Sequence, residues 1–184
     1  MMTYIGLLKG INVGGKNIVK MAELKIILQK AGLTNIKTYI QSGNIIFGSE
    51  LDENTLKSKI ESEIKKEFGL SIPVVLRTEE EFKQIIKQNP FTEEEIRNAE
   101  SNSESEIFYV SLSADNISDE NIKKLKSAIT EKEVFHINGR DIYFLFDKTI
   151  RNSKAVSILQ KVDNTSTIRN WKTINKLMEL AEPE

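Results

Sequence analysis

The sequence contains no cysteine and a single histidine, His136, among its 184 residues. The absence of cysteine excludes disulfides, thiolate nucleophiles and thiolate metal ligands, and it is typical of proteins that fold in a reducing compartment. With one histidine the chain cannot form a histidine-rich zinc site, so any metal would need oxygen ligands. We therefore predict no metal site, and the sequence identifies no cofactor.

The sequence also lacks an excess of either charge and a long apolar run. Its 26 Lys+Arg and 27 Asp+Glu residues leave a net charge of −1, which disfavours nucleic acid as a partner. No apolar run approaches the roughly 20 residues of a membrane span, and the N-terminus does not have the pattern of a secretory signal. We expect a cytoplasmic protein with no membrane partner.

Hydrophobic periodicity in the first 77 residues predicts the element order β-α-β-β-α-β. Apolar runs predict four strands, at residues 4–8, 36–40, 45–47 and 72–76. Helical spacing and N-cap chemistry predict two helices, one beginning near Met21 and one after Asp52. This is the order of the ferredoxin-like fold. Pro73 cannot donate to a strand ladder, so the fourth strand is expected at an edge of the sheet.

The same element order recurs after a connecting segment. Residues 78–105 carry two capping-box patterns, which begin at Thr78 and Thr92, followed by a polar stretch. Residues 106–184 then predict a second β-α-β-β-α-β unit with an added C-terminal helix. We therefore predict an α+β fold of two ferredoxin-like halves with antiparallel sheets, 1–77 and 106–184, and we find little residue identity between them.

The segment Lys9–Asn17, between the first strand and the first helix, contains three glycines, two lysines and two asparagines. Glycines let backbone N–H groups turn toward a ligand, and lysines place positive charge beside them. We predict a site for a small anionic or phosphate-bearing ligand, with charge from Lys9 and Lys16, turned amides from Gly14 and Gly15, and orienting hydrogen bonds from Asn12 and Asn17. The alternative is a glycine-rich turn whose asparagines bind its own backbone.

The segment Gly10–Asn17 nearly matches the P-loop pattern G-x-x-x-x-G-K-[ST]. Asn17 stands where that loop needs a hydroxyl to bind Mg²⁺, and the helical periodicity starts only at Met21. P-loop proteins also have parallel sheets, whereas this chain predicts hairpins. The match is accidental, and we do not predict a P-loop nucleotide triphosphatase.

The segment Gln41–Asn44 predicts the turn of the first hairpin. The amides of Gln41 and Asn44 are also candidate ligand-binding groups. We expect this turn to lie at the opposite end of the sheet from the Lys9–Asn17 loop, separated by a strand's length of about 17 Å. One small ligand should then not touch both segments of the same half.

Arg169 lies beside Trp171, the only tryptophan, at the start of the predicted C-terminal helix. Its guanidinium is a candidate for binding a carboxylate or phosphate. The alternative assigns this segment to packing, with Trp171 as the anchor and Asn170 or Thr167 as the helix cap. Ser153 is expected to be an ordinary N-cap of the helix that follows it, which is the helix before the C-terminal one.

Four segments carry a resemblance to one bacterial family: Leu7–Asn17, Met21–Leu24, Tyr39–Asn44 and Arg169–Thr173. The chain resembles the family catalogued as domain of unknown function 1697 over almost its whole length, with a weaker middle. The resemblance implies a duplicated ferredoxin-like architecture and no established activity, cofactor, substrate or catalytic residue. One departure is Lys20, where the family often has proline, which removes a stiff helix start and adds charge near the loop.

The sequence thus predicts an intracellular binding protein that holds a small anionic ligand at the Lys9–Asn17 loop. One alternative is an enzyme with an acid/base site in the cavity between the two halves, where Asp, Glu, Lys or Tyr would transfer protons. Another is a protein-interaction module whose polar loops shape a surface. RNA binding is disfavoured by the near-neutral charge and the missing aromatic pattern. The sequence identifies neither the ligand nor the oligomeric state.

Overall fold

A computed structural model describes residues 1–182. These residues form two four-stranded antiparallel sheets and seven helices, and each half follows the order β-α-β-β-α-β. The predicted α+β fold of two ferredoxin-like halves with a C-terminal helix is confirmed. Among the helices of this part of the chain, none is long and apolar enough to cross a membrane.

The elements of the first half lie close to their predicted positions. They are β1 (Met2–Leu8), α1 (Met21–Lys30), β2 (Thr34–Tyr39), β3 (Asn44–Ser49), α2 (Glu53–Phe68), β4 (Val74–Thr78) and α3 (Glu79–Lys87). The sheet order is β2-β3-β1-β4. Strand β1 is therefore central, and the predicted edge position of β4 is confirmed. Pro73 directly precedes β4, where its missing N–H removes no bond from the ladder.

The second half repeats this arrangement. Helix α4 (Glu93–Ser101) precedes it, and its elements are β5 (Phe108–Leu112), α5 (Asp119–Ala128), β6 (Glu133–Asn138), β7 (Asp141–Phe146), α6 (Lys154–Val162), β8 (Thr167–Asn170) and α7 (Trp171–Ala181). The sheet order β6-β7-β5-β8 matches that of the first sheet, strand for strand. The two sheets therefore have one topology.

The chain folds into two compact units, and the boundary between them differs from the one that the repeated element order predicts. One comprises Met1–Ile86 together with the segment that begins at Asn175, and the other comprises Lys87–Ile174. Helix α7 contributes residues to both units. The sequence-based boundaries at residues 77 and 105 follow the repeat of elements, and they remain predictions about domains.

Local capping chemistry sets where several helices begin. Asp52 accepts a hydrogen bond from the backbone N–H three residues later at 3.0 Å, and Thr92 forms the predicted capping box with Glu95. Ser118 and Ser153 accept in the same way at the starts of α5 and α6. Each such cap stabilises its helix by about 1 kcal/mol, so short-range interactions determine these boundaries.

Each sheet packs a pair of helices on one face. In the first core, α1 and α2 pack against the sheet, and the buried side chains include Tyr4, Leu8, Leu24, Leu28, Phe47, Leu56, Ile60 and Ile64. The core of the second half includes Leu125, Phe144, Phe146, Val156 and Leu159. Full burial of a large apolar side chain stabilises the fold by roughly 1.5–3 kcal/mol. These cores hold the strand ends that carry the loops.

The strand registers show residue identity between the halves. The segments that align are Tyr4-Ile5-Gly6-Leu7 and Tyr109-Val110-Ser111-Leu112. Tyr4 lies opposite Phe47, and Tyr109 lies opposite Phe144 at the same register position. Two of these four aligned positions carry the same residue, tyrosine and leucine, so the identity between the halves is limited to a few positions that the strand register brings into line.

An arginine on each edge strand belongs to this repeat. Arg77 of β4 and Arg169 of β8 occupy the same register position against the two central strands. Each guanidinium donates through Nη1 to the carbonyl of the preceding residue, at 2.8 Å and 2.9 Å. Thr78 and Asn170 follow the arginines, and each caps the next helix. The repeated unit therefore extends beyond βαββαβ into a capped helix.

We predict that Gly6→Val and Ser111→Ala, at the same register position of the two halves, change stability in opposite directions. A Cβ on Gly6 would lie 2.7 Å from Cγ1 of Ile45, and Ile45 is fully buried. Gly6→Val should therefore lower the free energy of unfolding by about 2 kcal/mol.

The Ser111 hydroxyl is buried with no hydrogen-bond partner among the described residues, so Ser111→Ala should raise that free energy by about 1 kcal/mol. Urea denaturation followed by circular dichroism measures both changes. A Gly6→Val protein as stable as the wild type would contradict the packing described.

Candidate functional site

The Lys9–Asn17 loop closes on itself through hydrogen bonds between its ends. The N–H of Asn12 donates to the carbonyl of Asn17 at 3.1 Å, and Nδ2 of Asn17 donates to the carbonyl of Gly10 at 3.0 Å. All three residues have positive φ values, which asparagine and glycine tolerate better than other residues. Much of the composition of the loop is thus explained by its backbone shape.

A tight turn forms the tip of this loop. Gly14 and Gly15 connect Val13 to Lys16, whose N–H donates to the carbonyl of Val13 at 3.0 Å. Their φ values, +56° and +75°, are of the kind that a two-residue hairpin turn requires. The backbone N–H groups of Gly14 and Gly15 have no acceptor among residues 1–182. Such groups can bind an anion.

The side chain of Asn12 joins the loop to the first hairpin turn. Its Nδ2 donates to the carbonyl of Val19 at 2.9 Å and to the carbonyl of Gln41 at 2.8 Å. Its Oδ1 accepts from the N–H of Val19 at 2.9 Å. One side chain therefore holds the Lys9–Asn17 loop beside the turn at residues 40–43. We call the segments 9–20 and 40–43 together the two-loop surface.

The predicted separation of about 17 Å between the loop and the turn is wrong. Strand β1 pairs antiparallel with β3, and Leu7 lies opposite Asn44, so the end of β1 meets the start of β3. The N–H of Leu8 donates to the carbonyl of Gly43 at 2.8 Å. Because the loop follows β1 and the turn precedes β3, both lie at the same end of the sheet.

Glycine is required where the turn meets β1. A Cβ on Gly43 would lie 2.7 Å from Cβ of Leu8 and 2.9 Å from Cδ1 of Ile11, and the φ of Gly43 is +77°. Both the space and the backbone conformation exclude a larger residue. The turn is therefore packed directly against the start of the loop.

Asn44 and Gln41 have different surroundings in the turn. Asn44 is buried, and its Nδ2 donates to the carbonyl of Tyr39 at 3.1 Å and to Oγ of Ser42 at 2.9 Å. Its amide thus holds the turn together. Gln41 is exposed, although its backbone carbonyl accepts the bond from Asn12.

Three aliphatic side chains are exposed on the two-loop surface. Val13 and Ile18 are 67% and 56% exposed, and Ile40 in the turn is 50% exposed. Ile40 also has a φ of +50°, a left-handed conformation that costs a residue of this kind roughly 1–2 kcal/mol. Strained backbone is concentrated at functional sites, so this position points to the surface as a site.

The lysines of the surface differ in their surroundings. Lys16 is exposed at the tip of the loop, whereas Lys9 is partly buried beside β4. Lys20 forms a salt bridge with Glu23 at 2.8 Å, and this hydrogen bond raises the pKa of the Lys20 ammonium. Lys16 is therefore the lysine best placed to meet a ligand.

The second half carries a shorter version of the same two segments. Residues 113–118 connect β5 to α5, in place of residues 9–20 between β1 and α1. The β6–β7 turn consists of Gly139 and Arg140, in place of residues 40–43 between β2 and β3. The N–H of Ser113 donates to the carbonyl of Arg140 at 3.0 Å, which is the equivalent of the bond from Leu8 to Gly43. The fold thus closes at this end without a long glycine-rich loop.

Arg169, the last of the predicted binding residues, lies in the second unit. Its Nη1 donates to Oγ1 of Thr167 at 2.6 Å, and burial lowers the pKa of its guanidinium to about 10. The predicted packing role of Trp171 is confirmed, since its ring stacks on Phe108 with centroids 4.3 Å apart. The predicted cap at Asn170 is also confirmed. Anion binding by Arg169 remains a prediction.

A cleft of about 660 Å³ lies at the other end of the first sheet, and no motif in the sequence indicated it. Its walls include Lys25, Lys37, Phe47 and Glu79, and Nζ of Lys37 donates to the carbonyl of Leu180 at 3.2 Å. These residues come from separate elements that are brought together only in the folded unit. Among residues 1–182, no three His, Asp or Glu side chains come together as a metal site.

We predict that Asn12→Gly lowers the free energy of unfolding by about 2 kcal/mol, because it removes three hydrogen bonds while keeping a residue that tolerates positive φ. Hydrogen exchange should become faster in both the loop and the turn. Asn17→Gly is the control, because it removes a single bond at an exposed site and should cost less than about 1 kcal/mol. Equal losses in the two variants would contradict the joining role of Asn12.

We predict that Ile40→Asn raises the free energy of unfolding by about 1 kcal/mol, because asparagine tolerates the left-handed conformation that strains isoleucine. Ile18→Asn is the matched control, since Ile18 is similarly exposed and has no positive φ. It should change stability by less than about 0.5 kcal/mol. Thermal and urea denaturation measure both variants, and a destabilised Ile40→Asn protein would contradict the strain.

Comparisons with known proteins place this fold in a family. The model of the family described as "Protein of unknown function (DUF1697)" matches residues 1–143. The solved structure of conserved bacterial protein SP0830 from Streptococcus pneumoniae is similar, with 27% sequence identity, a TM-score of 0.76, and coverage of 98% of this chain and 99% of that one. No curated protein sequence matches the chain. Since the family model spans most of its length, the chain belongs to the DUF1697 family of proteins of unknown function.

Proposed function

We propose that this protein binds a small anionic, phosphate-bearing ligand at the two-loop surface. The observation that carries the proposal is the comparison of the two halves. The second half closes the same end of its sheet with residues 113–118 and a two-residue turn. The longer segments of the first half are thus not needed to build the fold. Loops added to a rigid scaffold are where binding residues concentrate.

The chemistry of the loop tip favours an anion. The N–H groups of Gly14 and Gly15 have no protein acceptor in the described chain, and the exposed Lys16 lies next to them in sequence. Backbone donors combined with a cation suit the oxygens of a phosphate group. Lys9 adds charge from the base of the loop. The lack of cysteine is consistent with a cytoplasmic location for this binding activity.

Preorganisation gives the asparagines a role in binding without direct contact. The amide of Asn12 is bonded to Val19 and Gln41, so in this proposal it holds the tip in place before the ligand arrives. A loop that is already ordered loses less conformational entropy on binding. Asn17 and Asn44 act in the same way within their own segments. The exposed Gln41 side chain is the turn residue that can contact a ligand directly.

The proposal predicts that Lys16→Ala weakens the binding of inorganic phosphate about tenfold, the effect of losing one charge-assisted hydrogen bond. An ¹⁵N NMR titration reports on the site directly, because the amide resonances of Gly14 and Gly15 should shift as phosphate is added. Sodium chloride at equal ionic strength controls for screening.

Lys66→Ala is the matched variant, since it removes the same charge from an exposed position on α2. Its phosphate affinity should equal that of the wild type. The proposal fails if the two glycine resonances do not move, or if Lys16→Ala and Lys66→Ala bind phosphate equally well.

A further inference from the structure

We infer that the ligand of the two-loop surface is an amphipathic phosphate ester, whose apolar group packs against Val13, Ile18 and Ile40. This inference rests on the proposed function and names the ligand class. It starts from the exposed aliphatic side chains that border the glycine-lysine tip. Exposed aliphatic side chains do not contribute to the binding of inorganic phosphate alone.

The three aliphatic residues adjoin the positions that Asn12 brings together. Val13 follows Asn12 in the chain and pairs with Lys16 across the glycine turn. Ile18 precedes Val19, and Ile40 precedes Gln41. Because Asn12 bonds to Val19 and Gln41 at 2.8–2.9 Å, the segments that carry the three aliphatic residues lie side by side. Gly14, Gly15 and Lys16 belong to one of these segments, so an apolar group attached to a phosphate bound there can cover the aliphatic side chains.

The second half shows that these exposed residues are not a general property of the fold. Its connecting segment contains one large aliphatic residue, Ile117, which packs against the core of that half. The Gly139-Arg140 turn contains none. In the described chain, therefore, this end of the sheet exposes large aliphatic side chains only in the half that carries the glycine-lysine tip.

The conformation of Ile40 supports the same conclusion. Glycine or asparagine would fit its positive φ with less strain, and half of its surface remains in water. Neither the turn nor the core explains an isoleucine at this position. Contact with an apolar part of a ligand explains the isoleucine, because that contact removes the exposed side chain from water.

The experiment compares phenyl phosphate with inorganic phosphate at equal ionic strength, using the same NMR titration. The two probes share a phosphate group and differ by an apolar ring. We expect phenyl phosphate to bind the wild-type protein about tenfold more tightly, and the methyl resonances of Val13, Ile18 and Ile40 to shift only with phenyl phosphate. The Val13→Ser/Ile18→Ser double variant should lose this preference and bind the two probes with equal affinity.

Ile26→Ser is the control variant, because Ile26 is 49% exposed on α1 and lies outside the two-loop surface. It should keep the preference for phenyl phosphate. Ile40→Asn should reduce that preference while the protein becomes more stable, a combination that a purely structural role would not produce.

The outcomes separate this inference from the proposed function. Equal affinities of the wild-type protein for the two probes, with dependence on Lys16 retained, would overturn the ligand class and leave anion binding in place. A preference that survives in the double variant would also overturn it. If neither probe shifts the glycine resonances, the proposed function fails and the inference fails with it.

Discussion

The antiparallel pairing of β1 with β3 is the constraint on which the candidate site depends. It opposes Leu7 to Asn44, and this register brings the end of one strand to the beginning of the other. The loop after β1 and the turn before β3 must then meet at one edge of the sheet. The Asn12 side chain and the close fit of Gly43 stabilise that contact, but the strand register creates it.

Signals that act over a few residues made the fold predictable from sequence. Asp52, Thr92 and Ser153 cap helices at the expected positions, because a cap bonds to backbone only two or three residues away. The glycines and lysines of the loop were also visible in the sequence. Their relation to the turn was not, because it depends on a pairing between strands far apart in the chain. The positive φ of Ile40 had no sequence signal either, because isoleucine does not favour the left-handed region.

The two halves are similar in structure although few of their residues are identical. Arg77 and Arg169 hold the same register position and make the same bond to the preceding carbonyl, and a helix cap follows each. These features sit in strands, where register fixes the position of every side chain. The connections are free to differ in length, and at the end of the first sheet that carries the candidate site both connections are longer than their counterparts in the second half.

The left-handed backbone of the loop also determines at which positions a comparison of related sequences could give information about the ligand. Five of its residues, Gly10, Asn12, Gly14, Gly15 and Asn17, have positive φ. Glycine or asparagine would be retained at such positions by conformation alone, whatever the loop binds. Lys16 and Ile18 face no such restriction. Across related chains, the variation at these two positions would therefore report on the ligand, whereas the glycines would report only on the shape of the chain.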